Sequence, residues 1–147
     1  MRAMYVHKGN KKVRSLLLEV IPYVLAFLFL YTGFSKLMDP VGTYQGLSNQ
    51  VLPTLLAELL FYSLPPIELT IAVLLLKDRT IKIGLASFSI LMTVFSAYII
   101  LVLTGVFGRV PCSCGGVLNS LGWWEHLWFN LFFLGLAGIG LKLKSEK

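Results

Sequence analysis

The fold is decided by the stretch IGLASFSILMTVFSAYIILVLTGVFG, residues 83–108, which lies between Lys82 and Arg109 and contains no charged side chain. A helix needs about 20 apolar residues to cross the hydrocarbon core of a bilayer, because lipid cannot satisfy exposed backbone polar groups. The stretch exceeds that length, so it predicts a membrane-spanning helix.

Three further stretches are apolar enough to span, although each contains one or two acidic or histidine side chains. They cover about residues 15–35 with Glu19, 52–76 with Glu58 and Glu68, and 123–141 with Glu125 and His126. With the central helix, at about 82–106, they predict an all-α fold, an integral membrane four-helix bundle over residues 15–141. Basic tails at 1–14 and 142–147 flank this domain, and the first tail, without an apolar period, is expected to be mobile.

The composition excludes several other classes of protein. Hydrophobic residues make up 56% of the chain and charged residues only 14%, which argues against a water-soluble enzyme. The aliphatic and aromatic content excludes disorder, and two cysteines are too few for a secreted module held together by disulfides.

The thirteen basic residues predict the orientation, because cytoplasmic loops carry an excess of lysine and arginine. With the N-terminus inside, eleven of them fall on the cytoplasmic side: Arg2, Lys8, Lys11, Lys12, Arg14, Lys77, Arg79, Lys82, Lys142, Lys144 and Lys147. Only Lys36 and Arg109 remain outside. The pattern predicts a multi-pass protein of the inner membrane of a bacterium, with both termini cytoplasmic. Because topology explains the basic charge, the expected partner is the lipid bilayer and not nucleic acid.

Prolines and glycines predict local features of the bundle. Residues 39–50, which contain Pro40 and two glycines, are expected to form an outer loop. Pro65 and Pro66 are expected to kink or restart the second helix, because proline lacks an amide donor. Gly135 and Gly138 predict close packing of the last helix against a neighbour.

Cys112 and Cys114 are separated by one residue in the loop predicted to face the periplasm, where thiols tend to be oxidised. A disulfide between them would require Ser113 to bend, since disulfide Cα atoms lie about 4.4–6.8 Å apart and two extended residues span about 6.6–7.2 Å. A strained, exposed disulfide is easily reduced, which is typical of an exchanging pair. Two alternatives stay open: a copper or zinc site shared with His126, and a cysteine pair without a redox role.

Two charged side chains lie within or at the end of predicted spanning helices. Glu68 needs a partner, because a carboxylate inside the bilayer normally faces the bundle interior or water. The backbone freed by the adjacent prolines, a hydroxyl group of the third helix or a proton could satisfy it, and both a proton relay and a structural carboxyl stay open. Lys36 is expected to reach the lipid headgroups or to pair with Asp39.

His126 and Asn130 are four residues apart, on one face of the last helix, just below the cysteine loop. The histidine could move protons for thiol chemistry or only make a hydrogen bond at the membrane surface. Asn130 is expected to make a polar contact between helices.

Three motifs carry a resemblance to a known family. They are TGFSKL at residues 32–37, LPPIEL at residues 64–69, and CSCGG at residues 112–116 followed by Trp123 and Asn130. Over about residues 15–141 the chain resembles the MauE branch of the DoxX-like membrane proteins. The resemblance implies a four-helix inner-membrane protein in which Cys112 and Cys114 are the redox pair and Lys36, Glu68 and Asn130 match signature positions. Where the family often has an aromatic residue after the second cysteine, this chain has Gly115.

The resemblance also implies a function. The methylamine-utilisation member of the family is associated with forming the disulfides of methylamine dehydrogenase, alongside a thioredoxin-like protein. The predicted function is therefore thiol–disulfide exchange with a thioredoxin-like periplasmic protein or a cysteine-rich client, in which one cysteine attacks the partner's sulfur and the other resolves the mixed disulfide.

The sequence is compatible with an enzyme and with a protein that has no catalytic activity of its own. As a thiol–disulfide oxidoreductase the protein would need an electron acceptor, and a membrane quinone between the helices would serve by analogy with other four-helix disulfide-generating proteins. The alternatives are a non-enzymatic membrane assembly factor and a small transporter or metal-handling protein that uses Glu68.

Overall fold

The computed structural model describes residues 2–108 and 122–145, with side chains from residue 13 onward within those ranges. The described residues form five helices: α1 (Arg2–Met38), α2 (Pro40–Ser48), α3 (Thr54–Leu76), α4 (Ile81–Leu103) and α5 (Trp123–Ser145). Four segments are long and apolar enough to cross a membrane, namely Val13–Met38, Thr54–Leu76, Ile81–Leu103 and Trp123–Ser145. The prediction of an all-α bundle of four spanning helices is thus confirmed, whereas cytoplasmic termini stay a prediction.

The N-terminal tail differs from the expectation, because α1 is helical from Arg2. A spanning helix can extend into water at little cost once it is nucleated, since each added residue gains one backbone hydrogen bond. Alanine, methionine, lysine and arginine in this segment also favour the helix. The basic tail is therefore a continuation of α1 rather than a separate irregular segment.

Helix α2 occupies part of the segment that was expected to be an outer loop. The Asp39 side chain accepts a hydrogen bond from the Gly42 amide at 2.9 Å, and Pro40 is the first helical residue. An aspartate cap followed by proline is a helix start signal, since it satisfies a free amide and presets the backbone angle. The ring of Tyr44 then packs edge-on against Phe61, with centroids 5.5 Å apart, so α2 covers the first half of α3.

Helix α3 contains both Pro65 and Pro66 and does not restart at either one. The two missing amide donors leave earlier carbonyl groups of the helix without their usual partners. Tertiary packing maintains the helix here, because Leu64 and Pro65 are both buried against neighbouring helices.

The core lies between α1, α3, α4 and α5 and is apolar. We call its central part the apolar plug, defined by buried residues that line the interior of α1, α3 and α4: Leu25, Ala26, Phe29, Ile71, Ala72, Leu75, Leu85 and Phe88. The rings of Phe29 and Phe88 pack with centroids 4.3 Å apart and join α1 to α4.

Close helix packing involves other glycines than those predicted. A Cβ atom at Gly135 or Gly138 would have nothing within 4 Å, so the prediction of close approach at these two residues is wrong. A Cβ at Gly84 would lie 2.9 Å from the Leu75 backbone nitrogen, and one at Gly140 would lie 3.2 Å from Ile21 and Leu85 side-chain atoms. The helix faces that carry Gly84 and Gly140 are the ones that meet a neighbour.

This difference predicts opposite effects for matched substitutions. Gly84→Ala should destabilise the protein by about 1–3 kcal/mol, because the new methyl group meets backbone atoms that cannot move aside. Gly135→Ala should be neutral or stabilise by up to about 1 kcal/mol through helix propensity. Thermal unfolding of both variants in the same detergent would test this, and equal stability of the two would contradict the assigned packing.

Candidate functional site

The two ends of the bundle differ in the side chains they carry. At one end the Arg14 guanidinium donates to the Leu143 carbonyl at 3.1 Å, which joins α1 to the end of α5. Consecutive long helices alternate in direction. The C-termini of α1 and α4 and the N-termini of α3 and α5 therefore lie together at the opposite side of the bundle, which we call the Lys36 end. Cys112 and Cys114 lie outside the described residues, in the chain that joins α4 to α5.

The main polar feature of the described bundle is an ion pair between α1 and α3. The Lys36 ammonium donates to both oxygens of the Glu68 carboxylate, at 2.8 Å and 2.9 Å. It also reaches back one turn to the Thr32 carbonyl at 3.4 Å. Glu68 lies near the middle of α3 and is 2% exposed, so its charge is compensated inside the bundle by the lysine.

The lysine reaches this position because long helical side chains point toward the N-terminus of their own helix. Lys36 is close to the end of α1, yet its amine lies a turn deeper, beside Thr32. The Thr32 hydroxyl donates to the Phe29 carbonyl in its own helix, at 3.4 Å. The two helices can come this close because Gly33 has no side chain at the point where Leu69 approaches. A Cβ atom at Gly33 would lie 3.0 Å from the leucine side chain.

The ion pair corrects the partners considered from the sequence. Lys36 pairs with Glu68 and not with Asp39, which caps α2. The serine and threonine hydroxyl groups of α4 do not donate to the Glu68 carboxylate either, because they donate to carbonyl groups one turn earlier in their own helix. These bonds run from Ser89 to Leu85, from Thr93 to Ser89 and from Ser96 to Met92, at 2.8, 2.7 and 2.8 Å. A lysine from the neighbouring helix satisfies Glu68 instead.

His126 and Asn130 of α5 lie at the same end of the bundle. His126 is half-buried and within electrostatic range of Lys36. Asn130 is 3% exposed, and its side-chain nitrogen Nδ2 is buried without a hydrogen-bond partner. An unpaired buried donor of this kind costs about 1–3 kcal/mol, so the position is not optimised for packing alone.

A layer of aromatic side chains joins the segments at the Lys36 end. The Tyr98 hydroxyl donates to Gln50 Oε1 at 2.9 Å, and the Tyr98 ring lies 6.4 Å from both Phe107 and Trp123, measured between centroids. These contacts connect α4 to the segment before α3 and to the start of α5. They hold together the helix ends from which the cysteine-bearing segment departs.

Among residues 2–108 and 122–145, no group of three or more histidine, cysteine, aspartate or glutamate side chains is arranged to hold a metal ion. An ammonium, a carboxylate and an imidazole lie in one region of the bundle, and side chains of these types are the ones that commonly exchange protons. Sequence reasoning selected Lys36, Glu68, His126 and Asn130 separately but missed Thr32. The signal for Thr32 was its position four residues before Lys36, which places both on one helix face.

Comparison with known proteins identifies the family. The family model described as methylamine utilisation protein MauE matches residues 14–143, which include the ion pair, both cysteines and Asn130. No curated protein and no solved structure matches the chain. With four apolar helices able to span a bilayer, the chain is a multi-pass membrane protein, and it belongs to the MauE family.

Proposed function

We propose that the protein carries out thiol–disulfide exchange at the outer face of the bacterial inner membrane, with Cys112 and Cys114 as the exchanging pair. Both termini are cytoplasmic in this proposal. The partner is a thioredoxin-like periplasmic protein or a cysteine-rich client whose maturation needs disulfides, and the family name indicates a setting in methylamine utilisation.

The observation that carries the proposal is the location of the cysteines in the chain. Both lie between the end of α4 and the start of α5, and therefore in the connection at the Lys36 end. The opposite end carries the basic α3–α4 connection and the basic C-terminus of α5, which favour the cytoplasm. The cysteines would then face the compartment in which disulfides persist.

The electrons and protons of the exchange pass only between the cysteine pair and its partner, so no further reagent is needed. A thiolate of the reduced pair attacks a sulfur of the partner's disulfide, a mixed disulfide forms, and one partner thiolate leaves and takes up a proton. The second cysteine then attacks the mixed disulfide, so the pair ends oxidised and the partner gains two electrons and two protons. The reverse sequence oxidises a reduced client.

Trapping of the redox state in cells tests this function. Cells are quenched with acid, and free thiols are labelled with a maleimide of added mass before and after treatment with reductant. Because the chain holds only two cysteines, each labelled thiol gives a discrete shift on a gel. We expect both reduced and oxidised forms, with a ratio that changes when the partner is deleted. A pair that stays in one state under all conditions would contradict redox exchange and favour a non-enzymatic assembly role.

A further inference from the structure

We propose that Lys36 and Glu68 form a proton-exchanging site that opens only toward the Lys36 end of the bundle. The site lies inside the spanning region and between two helices, where ionisable side chains are costly to bury and commonly mark a functional site. The further suggestion that its proton supports the thiol–disulfide reaction rests on the proposed function.

The geometry allows a proton to move within the pair. With the Lys36 nitrogen 2.8 Å and 2.9 Å from the two Glu68 oxygens, one N–H bond can break while an O–H bond forms. The ammonium and carboxylate then become a neutral amine and a neutral carboxyl group, and the net charge of the bundle is unchanged. A surrounding of low polarity favours such a neutral form, since burying charges is costly.

The two members of the pair differ in their access to the outside. The Lys36 side chain is 23% exposed, whereas that of Glu68 is 3% exposed. On the other side of the pair the apolar plug follows, with Phe29, Ile71 and Ala72 all buried and without a titratable group. A proton can therefore enter and leave through the lysine, whereas the apolar plug residues packed beyond the glutamate offer it no titratable group.

Few other titratable groups face this site in the described residues. On α5, His126 is half-buried and within electrostatic range of Lys36, and Glu125 is engaged with the Gly122 amide. Helix α4 contributes no charged side chain after Lys82, and its Tyr98 donates to Gln50. Asp39 caps α2. Of the described α5 side chains, His126 is thus the titratable one within electrostatic range of the pair, at the end where Lys36 is partly exposed.

The unpaired Asn130 side chain indicates that a polar group or a water molecule can bind in this region. Four residues after His126 on the same helix face, it leaves its Nδ2 donor buried and unpaired. A donor in this state can stabilise a transient acceptor, such as the neutral imidazole or a water molecule that enters as the proton moves.

Infrared spectroscopy tests the proton site directly. The full chain is placed in lipid nanodiscs, and the carboxyl stretching band is followed through a pH titration. We expect one component of this band to change with pH and to be absent from the Glu68→Gln variant. The same component should be retained in Glu19→Gln, which removes an exposed carboxylate of α1. A titration that is identical in wild type and Glu68→Gln would overturn the proposal.

The direction of opening has its own test. In liposomes with a pH-sensitive dye inside, the wild-type protein should conduct protons no faster than empty liposomes, because the apolar plug blocks the path. Proton flux that depends on Glu68 would overturn the one-sided site and favour a transporter.

Two further comparisons separate this inference from the proposed function. In the variant Cys112→Ser/Cys114→Ser the pH-dependent carboxyl band should persist, because the proton site does not need the thiols. If the wild-type protein shows this band but its cysteines never change redox state, only the redox function is refuted. If the cysteines cycle, Glu68→Gln should slow exchange about 10²-fold, which is within the range of general acid–base catalysis. The neutral double variant Lys36→Met/Glu68→Gln, which leaves no unpaired charge, should be equally slow although folded. Unchanged exchange in both variants would refute the link to thiol chemistry.

Discussion

Replacing either cysteine alone by serine is expected to abolish turnover, and one of the two variants is expected to accumulate a mixed disulfide with its partner. The reason is that the attacking thiolate can still form the mixed disulfide when the resolving cysteine is missing. Non-reducing gels of acid-quenched cells would show the adduct as a band of higher mass that disappears with reductant.

The double variant Cys112→Ser/Cys114→Ser is the matched control, since it has no thiol and should form no adduct. Ser113→Ala is a second control that retains both thiols and should retain turnover. If both single variants support wild-type maturation of the client, the cysteines do not carry the function. The protein would then act by holding its partner at the membrane.

Replacing Lys36 by methionine is expected to have the largest effect on stability. It leaves the Glu68 carboxyl group buried at 2% exposure without its ion-pair partner, and breaking a buried pair in this way costs about 3–5 kcal/mol. The measurement is unfolding by heat or by a denaturing detergent, with purified protein in a mild detergent. Lys142→Met, at an exposed position of α5, is the matched control and should change stability by less than about 0.5 kcal/mol.

The double variant Lys36→Met/Glu68→Met distinguishes the charge effect from a packing effect. Two apolar side chains of similar size leave no charge unpaired, so this variant should recover most of the stability lost in the single variant. A double variant less stable than Lys36→Met alone would show that the carboxyl group contributes through other contacts.

The positions of the spanning helices could be predicted from the sequence because the requirement is local. Lipid excludes charges and unpaired backbone groups, so long apolar stretches must form helices wherever they lie. The boundaries were less predictable. Helix α1 begins at Arg2, and α2 occupies residues expected in a loop, because helix propagation and the Asp39 cap act outside the lipid-spanning part.

Packing could not be predicted from residue type alone. Gly84, Gly135, Gly138 and Gly140 look equivalent in the sequence, yet only Gly84 and Gly140 lie against another helix. Which face of a helix meets its neighbour depends on the rotation of both helices, and four largely apolar helices show little amphipathic pattern to indicate it.

The sequence by itself determined the all-α membrane architecture, the family motifs and the side chains able to carry chemistry, because each depends on nearby residues. Only the tertiary structure decided that Lys36 and Glu68, 32 residues apart, form one site beside Thr32. Neither charge could be assigned a partner from its own helix, since the partner is set by the approach of α1 to α3. That approach depends on the packing of Gly33 against Leu69, and packing between helices is a property of the assembled bundle.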